Sequence, residues 1–206
     1  MKKNVWSYGG VIASLVLIAF GTVAIVLATS GHSEVRTDIK REAIVGSADM
    51  TPKAIAVEAQ KAGLKNVSLP TCSVANQPIE TGSQAKCFAS YMRIHTLEAT
   101  GGETYAQMPR YATADGKGTN DAAAALTKNG QPVDNPARNI WVTSTALSTA
   151  LNTSYFAEQV SLFSLVMGIA LLLTGIGFLV LSIRMLRPAE RPEKATALPA
   201  KAIPAS

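Results

Sequence analysis

Twenty-five consecutive residues, Gln159 to Ile183 (QVSLFSLVMGIALLLTGIGFLVLSI), carry no charged side chain, and Arg184 and Arg187 follow at once. As a helix rising about 1.5 Å per residue, this run reaches about 37 Å, more than the ~30 Å hydrocarbon core of a bilayer. A helix in a soluble core has no need of so long an unbroken apolar stretch. The run therefore reads as a transmembrane helix, 159–183, and it limits the chain to folds that can accommodate one.

A second such run lies near the start. Tyr8 to Thr29 (YGGVIASLVLIAFGTVAIVLAT) is twenty-two residues without a charge, flanked by Lys2 and Lys3 before and Glu34 after. A cleaved signal peptide is the rival reading, with Lys2 and Lys3 as its basic end and small residues near Ala28. Signal-peptide apolar cores run about 7–15 residues, however, and this one is longer, so retention as an anchor is expected. The divisions that follow are an N-tail 1–7, a first span 8–29, a polar middle 30–158, the second span 159–183 and a tail 184–206.

The formal charge of +5 becomes informative once it is divided. Residues 30–158 hold twelve Lys/Arg and twelve Asp/Glu, so the excess belongs to the two tails. The basic balance is therefore no argument for nucleic acid, and no nucleic-acid partner is expected. It does orient the chain, because Lys and Arg are retained on the cytoplasmic side. Both termini are expected in the cytoplasm of a plasma (inner) membrane, with 30–158 extracytoplasmic. Trp6 and Tyr8 at one interface, and Tyr155 and Phe156 at the other, suit the headgroup layer. The Pro/Ala/Lys composition of 188–206 predicts disorder.

Within the middle, Val35, Ile39 and Ala43 recur every four residues, so a helical stalk is expected over 33–45. Glu34, Asp38 and Glu42 form an acidic row beside Lys40 and Arg41, which reads as a solvated face with local ion pairs. Thr51 and Pro52 then open a helix that Gly63 stops, with Ile55, Ala59 and Ala62 on one face. A third helix is expected over 88–99, with Phe88, Tyr91, Ile94 and Leu97 at helical spacing. Between 101 and 136 an extended loop is broken by a short Ala-rich helix over 120–126. From 137 a helix runs on into the second span, with Ile140, Leu147, Leu151, Tyr155 and Phe156 on its apolar face.

Cys72 and Cys87 are the only cysteines. Two cysteines alone fit a metal half-site, a redox pair or a disulfide. Fourteen intervening residues are too many for a redox CxxC, and a zinc site would draw on only two histidines, His32 and His95. In an oxidising compartment the pair forms a structural disulfide. The string ADGKGTND puts no carboxylate at Thr113, Lys117 or Ala124 in the calcium-loop register, and GKGT lacks the spacing of a phosphate-binding loop. Both read as turns. His95, with Arg93 and Glu98 near it, reads as a half-buried histidine with a hydrogen-bonding neighbour, the sharper alternatives being a pH sensor or a ligand.

The two spans share one more pattern. Ser7, Ser14, Gly21 and Ala28 stand seven apart, and so do Ser161, Gly168, Gly175 and Ser182. In an antiparallel pair, Ser7 meets Ser182, Ser14 meets Gly175, Gly21 meets Gly168 and Ala28 meets Ser161. Small residues at such spacing let two helices pack closely with a left-handed twist. Neither span holds an ionisable group, so no proton path or voltage sensor is expected inside one chain.

In the segments REAIVGSADMTP, CFASYMRIHTLEATGG, MPRYATADGKGTND and ALNTSYFAEQVSLF the chain resembles a family of small actinobacterial two-span membrane proteins. The resemblance covers nearly everything from the first span through the second. Members are often labelled aromatic ring-opening dioxygenases, a label that implies a non-haem iron held by histidines and a carboxylate. Here His32 and His95 are sixty-three residues apart and no local ligand motif surrounds either. We therefore expect no enzyme, no catalytic residue, no metal and no cofactor.

The fold class expected is an all-α membrane protein, an antiparallel two-helix transmembrane hairpin with a small, mainly helical extracytoplasmic domain. The function expected is that of a non-enzymatic accessory or scaffold subunit of an envelope complex. Its partners are membrane lipid and other membrane or envelope proteins, with a homo-oligomer compatible with the pattern. The alternatives are a ligand-binding or sensor module using Tyr91, His95, Tyr105, Tyr111 and Trp141, and an oligomeric two-span channel.

Overall fold

The computed structural model describes residues 2–186, with side chains from residue 8 onward. Four α-helices dominate: α1 (Lys2–Arg41), α2 (Pro52–Lys61), α3 (Gly82–Ala99) and α4 (Pro136–Leu186). A 3₁₀ turn (Ala122–Ala124) and a two-stranded antiparallel hairpin, β1 (Thr127–Lys128) and β2 (Gln131–Pro132), lie between α3 and α4. α1 and α4 are each long and apolar enough to cross a membrane, with mean hydropathy of 2.8 and 2.5 over their richest windows. Their large side chains lie open in a way that no soluble core helix tolerates: Phe20 and Leu27 are each 66% exposed, and Phe163 and Leu173 are each 64%.

At forty and fifty-one residues, the two helices extend about 60 and 76 Å, roughly twice what a bilayer core requires. The chain divides into two compact units, one made of residues up to 22 together with those from 169 onward, the other of 23–168. Neither α1 nor α4 breaks at 29/30 or 158/159, so the divisions expected there are not breaks in secondary structure.

In the first unit, α1 and α4 approach backbone to backbone. A Cβ placed on Gly175 would stand 3.0 Å from the Ser14 carbonyl oxygen and 3.0 Å from the Ile18 nitrogen. Ser14 is fully buried and its hydroxyl donates to the Gly10 carbonyl at 2.6 Å, so it brings no unsatisfied group into the contact. Gly21 and Ser182 are buried as well. Ser182 lies against Gly10, while the Ser7 side chain expected opposite it is outside the described residues, as is the tail from 187.

The second unit is built on α3. Eight of its eighteen residues are buried, which makes it the central helix. Tyr91, Ile94 and Ala85 meet Ile55 and Ala59 from α2, Ile39 from α1, Leu151 from α4, and Met50, Val74 and Ile79 from the connecting loops. A smaller cluster of Leu97, Met108 and Trp141 closes the other end of α3. Cys72 and Cys87 are joined by a disulfide, pinning the loop before α3 to its second turn. The Tyr91 hydroxyl donates to the Cys72 carbonyl at 2.5 Å, so the same loop is held a second time.

Local signals explain α2. The Thr51 hydroxyl accepts from the Ala54 amide, Pro52 occupies the first turn, and Gly63 takes a φ of +68° just beyond the end. Four other expectations are corrected. The stalk stops at Arg41 rather than running to 45, because Ala43 adopts a φ of +49° and residues 44–46 hydrogen-bond to 76–79. α3 begins at Gly82, six residues before Phe88, because Thr81 and Gln84 form a reciprocal capping box. The 120–126 helix shrinks to one 3₁₀ turn capped by Asp121, since Leu126 is drawn into backbone bonds with Ala112 and Val133. Finally, α4 turns Trp141, Ser144, Leu151 and Glu158 inward, leaving Ile140, Leu147 and Phe156 exposed.

Candidate functional site

The side chains expected to line a ligand or partner surface do not gather into one. Tyr91 is fully buried beneath the disulfide and is a core residue, a correction to its expected place on a surface. Burial pushes its phenol above the usual tyrosine range. Trp141 is a second correction. It is buried, and its indole N–H donates to the Glu103 carbonyl at 2.8 Å and lies 3.2 Å from the Thr100 hydroxyl. Beside it, Thr96 donates to Ser144 at 2.6 Å, so polar side chains lock the end of α3 onto α4. The helical spacing that Tyr91 shares with Phe88 and Ile94 is the spacing of a helix face turned to the core.

Tyr105 and Tyr111 stay nearer the surface. The Arg138 guanidinium stacks 4.1 Å from the Tyr105 ring centre, and Arg110 lies 5.1 Å from that of Tyr111. Tyr105, Arg110, Asp134 and Arg138 line a polar recess of about 360 Å³. The neighbouring 113–118 turn is closed by its own side chains. Thr113 donates to Asp115 at 2.5 Å, and the amides of Lys117 and Gly118 donate to Asp115 and Thr113. The Thr113 hydroxyl, then the Lys117 amide, hold the Asp115 carboxyl below the ordinary 3.8.

His95 sits on the face of α3 that meets α2 and the loop before it. Asp49, Glu58 and Glu98 all face its ring, at 3.3, 3.9 and 3.5 Å. Sequence spacing names only Glu98, because the other two arrive from forty-six and thirty-seven residues away. Asp49 is turned toward His95 by Ser47, whose hydroxyl donates to the other carboxylate oxygen. That bond is the largest of the influences holding the Asp49 carboxyl low.

Glu158 is a second residue that spacing did not single out. It is buried, accepts from Arg36 Nε at 3.2 Å, and lies 3.8 Å from His32 Nδ1. α3 begins directly on this carboxylate, since a Cβ on Gly82 would fall 2.8 Å from Glu158 Oε2 and 2.7 Å from the Tyr155 Cα. Nearby, Ala28 and Gly168 are buried, and the Ser161 hydroxyl stands 3.2 Å from where a Cβ on Gly31 would be, one helical turn beyond the Ala28 expected to meet it.

An apolar concave surface runs along α4 in two lengths. One, of about 540 Å³, is lined by Ile39, Ile44, Phe88, Met92, Leu147 and Leu151. The other, of about 530 Å³, is lined by Met92, His95, Ile140 and Leu147 among others. Met92 and Leu147 line both, so the two recesses adjoin and together are the α4 groove. Each length falls within the roughly 300–1,000 Å³ of ordinary binding clefts. No family model, no curated protein and no solved structure matches the chain.

Proposed function

We propose that this protein is a non-enzymatic accessory or scaffold subunit of a bacterial envelope complex. In this reading α1 and α4 form an antiparallel hairpin across the membrane, with both termini cytoplasmic and 30–158 extracytoplasmic. The basic residues after the second span favour that orientation, and a disulfide in the middle favours an oxidising side for it. The small-residue rows favour close packing of the spans, since Ser14, Gly21, Ala28, Gly168, Gly175 and Ser182 are all buried.

The observation that carries the reading is the apolar groove along α4. Leu147 is 51% and Ile140 43% exposed, on a unit whose charged residues otherwise balance. A single leucine in water is ordinary, but Leu147 and Ile140 stand open beside the half-buried Met92 and Phe88, and together they make surface that an apolar helix of a partner would cover. A photo-crosslinking residue at 147 in the native membrane should then yield a discrete protein adduct, and one at Lys128 should not. Equal labelling from both positions, or none from either, would end the proposal.

The second reading is a ligand-binding module in which the same groove takes an elongated apolar small molecule. Its volume permits that. A rise in melting temperature with long-chain lipophiles, abolished by Leu147→Glu, together with no protein adduct at 147, would favour it over the scaffold reading.

A further inference from the structure

Three segments far apart in the chain converge on one imidazole. Asp49 comes from the loop before α2, Glu58 from the third turn of α2 and His95 from α3, and each offers a ligand atom within 4.8 Å of the others. Each side chain is about one-third exposed, so the cluster opens to solvent. Glu98 adds a third carboxylate, 3.5 Å from Nδ1, the ring nitrogen that Glu58 also faces at 3.9 Å. Without a cation, three negative charges surround a single base.

The geometry around Nε2 is the telling part. This nitrogen is shut off from solvent and makes no hydrogen bond, although Asp49 Oδ2 is only 3.3 Å away. A ring N–H serving that carboxylate would point along the line to it, at about 2.7–2.9 Å for a charge-assisted bond. A metal ion behaves differently. Two ligands bound at about 2.0–2.1 Å with a tetrahedral angle between them lie about 3.3 Å apart, and neither points at the other. The Asp49–His95 pair matches that second arrangement. Nδ1 faces Glu98 at 3.5 Å, as the second nitrogen of a metal-bound histidine faces a carboxylate, and Glu58 stands 3.9 Å from the same nitrogen, so its carboxylate would have to turn toward Nε2 to complete the site. Ser47 occupies the other oxygen of Asp49, leaving Oδ2 turned to the site.

We propose that Asp49, Glu58 and His95 bind a divalent first-row transition-metal ion, with Glu98 orienting the imidazole. One nitrogen with two carboxylates suits zinc or manganese better than the all-oxygen shells of magnesium and calcium. Three protein ligands leave further coordination positions to water. The ion would join α2, α3 and the loop between α1 and α2.

The test uses the full chain in mild detergent, stripped with a chelator and titrated with Zn²⁺, Mn²⁺, Mg²⁺ and Ca²⁺ by calorimetry and thermal melting. One equivalent of Zn²⁺ or Mn²⁺ should bind and raise the melting temperature, with Mg²⁺ and Ca²⁺ at least tenfold weaker. Glu58→Gln and Asp49→Asn keep side-chain size and should lose that binding, as should His95→Ala. Glu98→Gln should weaken it by about ten- to a hundredfold, as outer-shell changes do. His32→Ala should bind as the unaltered chain does. Metal-free melting of each variant separates lost binding from lost folding, and if His95→Ala fails to fold, the two amide variants decide. Absence of binding in the unaltered chain, equal affinity for Mg²⁺, or full binding by Glu58→Gln and Asp49→Asn would each overturn the proposal.

Discussion

Asp115 shows how a single residue can be read from its neighbours. Its carboxylate accepts from Thr113 and from the Lys117 amide, and both bonds favour the charged form. A carboxyl whose folded value is depressed contributes stability above its unfolded value, and that contribution is lost as pH falls through the folded value, here on the acid side of 3.8. Thr113→Ala should therefore move the Asp115 titration upward toward 3.8, followed by NMR on the side-chain carboxyl. An unchanged midpoint would mean that the hydroxyl does not hold the turn. The sequence carried this turn plainly, since Thr, Asp and Gly at this spacing make turns whatever surrounds them. It could not carry Tyr91 or Trp141 in the same way. Helical spacing marks the face Tyr91 lies on but not Trp141, and whether either side chain meets water or protein depends on segments far away in the chain.

Among the elements, the legible parts were those with local causes. α2 has its cap, its proline and its terminal glycine within thirteen residues, and all three behave as expected. Two further elements have local causes: the start of α3, set by the Thr81–Gln84 capping box, and the β1–β2 hairpin, set by the Asn129–Gly130 pair. The pair takes φ values of +54° and +75° and turns β1 into β2, as such dipeptides do between short strands. The end of the stalk had no local sign, because it is set by pairing with 76–79. The His95 cluster was hidden for the same reason. For the two long helices a paired comparison is available. Gly175 presses on the α1 backbone, whereas nothing lies within 4 Å of where a Cβ on Gly177 would stand. Gly175→Leu should lower thermal stability in detergent, by roughly 1–3 kcal/mol if the helices shift to admit it. Gly177→Leu should leave it nearly unchanged. Equal effects would remove the close contact between α1 and α4.

For the molecule as a whole, the Cys72–Cys87 bond closes a loop of separation 15 next to the central helix. Such a closure is worth about 3 kcal/mol in the chain-entropy picture. Reduction, or the double change Cys72→Ser and Cys87→Ser, should lower the melting temperature of the 23–168 unit, and the unaltered chain under reductant should melt like the double variant. No change on reduction would mean that the capping box and the Tyr91–Cys72 hydrogen bond hold the segment unaided. Gly82 has a different kind of consequence. The start of α3 touches the bare backbone of α4 there, so one added methyl group would have to displace a helix rather than a side chain. Distant cousins of this protein, whatever else they have exchanged, should keep that position empty, and a lineage that filled it would have to cross these two helices at another point.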